Sequence, residues 1–122
     1  MDHFQHEKLD VYQKSVEFLS TAEEVARALP KGRAYLADQL RRAALSITLN
    51  VAEGAGEFAA PDKARFYRMA RRSATESAAI LDACRTLALV HPHELSVGRV
   101  ALLRIVAMLT AMVLRVSGSD SG

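Results

Sequence analysis

The sequence predicts an all-α fold, an antiparallel up-down-up-down four-helix bundle, and three observations carry that prediction. Apolar residues recur at steps of three and four through most of the chain, the period of a helix face. The interruptions, at Leu29-Pro30-Lys31-Gly32, Gly54-Ala55-Gly56 to Ala60, and His91-Pro92-His93, are short and lie about one helix apart. Hydrophobic residues make up 50% of the chain and Trp is absent, a composition suited to closely packed helices. Short connections favour antiparallel neighbours. With 122 residues and neither internal repeat nor linker, the chain reads as one domain, 1–122.

The first helix is expected over residues 9–29. Leu9, Tyr12, Val16, Leu19, Ala22, Ala26 and Leu29 form a stripe assigned to the core. A second stripe, Val11, Phe18 and Val25, repeats every seven residues and is assigned to contacts outside the protomer. Pro30 cannot continue the helix and Gly32 suits the turn.

The second helix is expected over residues 34–53, ended by the Gly54-Ala55-Gly56 break. Leu36, Leu40, Ala43, Ile47 and Asn50 fall on one seam. An unpaired Asn50 there would cost about 1–3 kcal/mol, so the pattern demands a partner on another helix. The third helix is expected over residues 61–90, about 45 Å long. Pro61 suits its first turn and Asp62 complements its dipole. Its seam reads Phe66, Ala70, Ser73, Ser77, Ile80, Cys84 and Leu87.

The fourth helix is expected over residues 93–116, with a frayed Ser/Gly tail at 117–122. From Val100 to Leu114 it is apolar almost all round, interrupted by Arg104 and Thr110. A helix apolar on every side needs cover on every side, which points to a homo-oligomer. Ile105, Met108 and Met112 join Val11, Phe18 and Val25 as the expected subunit interface. The most apolar tract, Ile105 to Leu114, is far shorter than the roughly 20 residues of a membrane span. The polar start lacks an apolar signal-peptide core, and the lone Cys84 fits a reducing compartment, so the expectation is a cytoplasmic protein with no membrane partner.

Pairing the second and third helices about their loop sets up an expected polar network of Gln39, Arg42, Ser46, Asn50, Glu53, Ser73 and Glu76. Arg42 would bridge to Glu76, while Asn50 and the serines would fix the register of the two helices. Catalysis is not expected. A carboxylate-bridged metal site needs Glu with His three positions on, and no Glu here has one. His3, His6, His91 and His93 sit near helix ends, and no phosphate-cradling glycine loop occurs. No catalytic residue, metal or cofactor is therefore assigned.

Net charge is +2, but the balance is −3 over residues 1–30 and +5 over residues 31–72. Lys63, Arg65, Arg68, Arg71 and Arg72 crowd the start of the third helix, with Arg41 on the second at a similar level. These six form a candidate nucleic-acid-binding face, RNA or DNA, made of many weak phosphate contacts. The competing reading is a protein-interaction module without nucleic-acid binding, in which the same arginines pair with acidic residues of a partner or neighbour.

Leu9-Asp10-Val11-Tyr12-Gln13, Leu29-Pro30, Gln39-Leu40-Arg41-Arg42-Ala43 through Ser46, and Asn50-Val51-Ala52-Glu53-Gly54 form an ordered set. Phe66, Ala70, Ser73 and Glu76 follow. Together they resemble the bacterial four helix bundle protein family, first found as reading frames inside intervening sequences of large-subunit ribosomal RNA genes. The resemblance covers residues 4–114. It implies an antiparallel bundle assembled as a homopentamer, a scaffold of unknown function. It extends to accessory proteins of diversity-generating retroelements, basic pentameric barrels that bind a reverse transcriptase and nucleic acid.

Overall fold

The computed structural model describes residues 3–121. Its α-helices are α1 (Asp10–Ala28), α2 (Ala34–Gly56), α3 (Ala60–Thr86) and α4 (Pro92–Ser121), with short 3₁₀ turns at Gln5–Lys8 and Lys31–Arg33. The described residues contain no strand, so the fold is all-α. Each helix packs on two others: α1 on α2 and α4, and α3 on α2 and α4. Among the described residues no Cα atoms of α1 and α3, or of α2 and α4, come within 8 Å of each other, so each pair lies across a diagonal.

Between α1 and α2, Ser15 meets Thr48 and Glu23 meets Arg41. Between α2 and α3, Gly54 meets Lys63 and Ser46 meets Ser73. The largest fully buried side chains are Phe18, Leu40, Ile47, Leu102, Ile105 and Leu109, drawn from three of the four helices. Burying each such side chain contributes about 1.5–3 kcal/mol.

The two stripes of α1 are only partly sorted as expected: Ala22 and Ala26 are buried as assigned, but the second stripe belongs to the core as well. Val11, Phe18 and Val25 are buried within the protomer, and with Ser15 and Ala22 they form the true seam, at steps of four and three. Val16, assigned to the core, is 42% exposed, and Leu9, Tyr12, Leu19 and Leu29 flank the core half-buried. The polar Ser15 disguised this seam. Its hydroxyl donates to the Tyr12 carbonyl at 2.6 Å and accepts from Thr48 Oγ1 at 3.2 Å, so it enters the core with its polar needs met. Ile105 and Met112 are also buried within the chain, and Met108 is half-buried beside the core. Five of the six residues expected at a subunit interface therefore hold the protomer together instead.

Helix ends differ from expectation for identifiable reasons. Gly54 does not break α2, which continues to Gly56. A Cβ on Gly54 would lie 2.6 Å from the Tyr67 ring, so glycine there allows α3 to approach closely. Instead of reaching Val90, α3 stops at Thr86, where Ala88 adopts φ 54°. The Leu89 N–H donates to the Cys84 carbonyl and the Ala88 N–H to that of Arg85, each at 3.0 Å, the paired bonds of a Schellman motif. Left-handed backbone disfavours alanine, so Ala88→Gly is expected to raise stability by about 1 kcal/mol in chemical melts.

The His93 N–H donates to His91 Nδ1 at 3.2 Å, capping the start of α4. The Ser/Gly stretch expected to fray is helical through Ser121, propagated from the long apolar helix before it; Gly122 lies outside the described residues. Counted over Pro92–Gly118 rather than its most apolar tract, α4 is long and apolar enough to cross a membrane by length and composition. Leu95, Leu102, Ile105, Leu109 and Met112 on that helix are nonetheless buried against the rest of the chain, as in a core helix.

Candidate nucleic-acid interface

The six cations singled out from the sequence have separate fates. Arg41 turns toward α1, where its guanidinium donates to both Glu23 carboxylate oxygens, at 2.8 and 3.2 Å. Asp38 lies within 4.0 Å on the same helix. The Arg41 hydrogen bond is the main cause holding the Glu23 carboxyl below its ordinary range, with lesser help from the Arg41 and Arg27 charges. Stability from this pair is complete above the ordinary carboxylate range and is lost as pH falls through the depressed Glu23 value. Glu23→Gln is expected to flatten that acid limb of a stability–pH curve.

Lys63 is half-buried and turned inward. Its ammonium donates to the carbonyls of Gly54 at 2.8 Å and Ala55 at 3.1 Å, closing the C-terminus of α2. It also approaches the Tyr67 ring, 5.9 Å from the centroid. Arg41 and Lys63 are thus engaged within the protomer.

Arg65, Arg68, Arg71 and Arg72 remain on the surface of α3. Arg65 lies over the Phe66 ring, 4.6 Å from its centroid. Arg68, Arg71 and Arg72 line, with Thr75 and Glu76, a shallow open hollow of about 560 Å³. Among the described residues none of these four arginines makes an ion pair, whereas Lys14, Arg27, Arg41, Arg85 and Arg99 each do. A run of guanidiniums with no carboxylate committed to it can give its donors to phosphate oxygens in forked geometry.

The expected polar network divides. Ser73 Oγ donates to Ser46 Oγ at 2.8 Å, and Asn50 Nδ2 donates to Ser46 Oγ at 3.0 Å and to its carbonyl at 2.9 Å. The partner of Asn50 is therefore one turn back on its own helix, and through Ser46 it reaches α3. Asn50 is half-buried beside the seam, which Val51 fills instead. Gln39, Arg42, Glu53 and Glu76 are all exposed and stand outside this cluster. Arg42 and Glu76 do not bridge: both are exposed, and Glu76 lines the arginine hollow on α3. Glu53 borders a hollow with Phe4, Gln5 and His6 at the 3₁₀ turn.

Sequence reasoning missed the buried Ser15–Thr48 pair, although Ser15 sits in register with Val11 and Phe18. Among the described residues no group of three or more His, Cys, Asp and Glu side chains is placed to hold a metal ion. Cys84 is fully buried, and burial pushes its thiol pKa up, away from the reactive thiolate.

The model of one family, described as 23S rRNA-intervening sequence protein, matches residues 7–111. A search of curated proteins found no match.

Proposed function

The chain belongs to the 23S rRNA-intervening sequence protein family, and on that premise we propose that it is a non-enzymatic, cytoplasmic, self-assembling scaffold whose α3 arginine face binds nucleic acid. The unit is an antiparallel up-down-up-down bundle that assembles as a homo-oligomer, a pentamer. The family is not a known enzyme family. The observation that carries the reading is the row Arg65, Arg68, Arg71 and Arg72, exposed and without a carboxylate partner among the described residues. Repeated once per subunit, such a row sums weak phosphate contacts into useful affinity. Structured RNA is the first probe to try, and a reverse transcriptase or other nucleoprotein is the kind of protein partner that would share the surface.

The test is charge reversal. Arg68→Glu, Arg71→Glu and Arg72→Glu together are expected to weaken binding of a fluorescent structured RNA at least tenfold and to reduce its salt dependence. Subunit mass should stay unchanged. Unchanged RNA affinity would remove the arginine face from consideration. Lost assembly with unchanged RNA affinity would favour the protein-interaction reading.

A further inference from the structure

Two exposed stripes of equal length run along diagonal helices, and we infer that they are the two halves of one subunit interface, in which the outer face of α4 docks onto the outer face of α2 in a second copy of this chain. The inference rests on the self-assembly half of the proposed function and names the surfaces that perform it.

On α4 the stripe is Val97, Val100, Arg104, Ala107, Ala111 and Leu114, at alternating steps of three and four, with Leu103 beside it. Val100 and Leu103 are each 60% exposed and Leu114 is 67% exposed. On α2 the stripe is Tyr35, Asp38, Arg42, Leu45, Leu49 and Ala52, at the same steps. Leu45 is 47% and Leu49 54% exposed. Each stripe is about 25 Å long at the rise of an α-helix. An exposed apolar surface of this extent marks a contact site.

Three observations select a second copy as the occupant. The stripes complement one another in size where they meet: bulky Leu45 on α2 against small Ala111 on α4. They also complement in charge. Arg104, the only charge in the α4 stripe, has no ion pair among the described residues. The α2 stripe presents Asp38, its side chain 74% exposed and held within its own chain only by a long 4.0 Å pair with Arg41, with the exposed Arg42 one turn further on.

The third observation is position. Because α2 and α4 lie across a diagonal, their outer stripes face opposite ways, and one copy cannot satisfy its own. The contact is therefore heterologous, the kind that closes into rings. In the up-down-up-down reading α2 and α4 point the same way, so a ring about an axis parallel to the helices sets them side by side in parallel. Arg104 beside Asp38 of the partner subunit then carries Ala111 to Leu45 of the partner subunit, one heptad on. The same ring places every α3 arginine face on one wall and every acidic α1 on the other.

Ala107→Glu spoils the α4 stripe and Leu49→Glu the α2 stripe, and both positions are exposed, so each chain should keep wild-type helix content by circular dichroism. Masses in solution decide the matter. Wild-type protein is expected to be an oligomer and each variant a monomer. Their equimolar mixture should form a two-chain complex, because each variant retains the face the other lacks. A mixture that stays monomeric would overturn the α4-on-α2 contact. So would Leu49→Glu retaining the full assembly while Ala107→Glu loses it. A monomeric wild-type chain would instead remove the self-assembly reading itself.

Discussion

Phe18→Ala is expected to lower the stability of the folded chain by about 3–5 kcal/mol, the range for emptying a buried aromatic site. Phe18 is 1% exposed, on the α1 seam between Ser15 and Ala22. Its ring edge would lie 3.6 Å from a Cβ placed on Gly98, so it packs directly on the α4 backbone. The neighbourhood is built of fixed helices and cannot collapse around the void, which puts the cost high in the range. Urea melts at two protein concentrations separate a core role from an interface role. A core residue lowers the midpoint equally at both concentrations; an interface residue would act more strongly on dilution and would lower the assembled mass.

Gly54→Val is the second large effect, a loss of about 3 kcal/mol, at the upper end of overpacking costs. A Cβ at this position would sit 2.6 and 2.7 Å from two carbons of the Tyr67 ring and 3.2 Å from the Phe66 Cβ. Tyr67 is buried and cannot swing aside freely. Even Gly54→Ala should destabilise, although alanine gains about 1 kcal/mol in helix propensity. Gly56 provides the internal control, because nothing lies within 4 Å of a Cβ there. Gly56→Ala should be neutral or mildly stabilising. Equal responses at the two glycines would refute the close approach of α3 to α2 at Gly54.

The contrast between those glycines shows what sequence patterns can and cannot carry. The helices and their order were legible because apolar spacing and Pro/Gly punctuation are local. Whether Gly54 ends a helix or admits a tyrosine from another depends on Tyr67, thirteen residues on, and no local pattern encodes that. The α1 seam was misassigned for a similar reason. Ser15 interrupts the apolar rhythm, and its fitness for the core depends on Thr48 of α2. Composition located the α3 arginines, but Arg41 and Lys63 looked equivalent to them. Geometry separates these two by giving one a carboxylate and the other a pair of helix-terminal carbonyls. The exposed stripe of α4 was foreshadowed by its all-round hydrophobicity, while of the residues chosen from that helix Ile105 and Met112 are buried within the chain and Met108 is half-buried.

The central claim is that an arginine face on a self-assembled bundle holds nucleic-acid phosphates. It is tested most directly by titrating fluorescent structured RNA into the wild-type protein across a salt series, with the assembled mass determined on the same sample. The account predicts an oligomer that binds in the micromolar range or tighter, with affinity falling steeply and linearly in log–log form as salt rises. A well-formed oligomer that fails to bind RNA or duplex DNA even at low salt would contradict it.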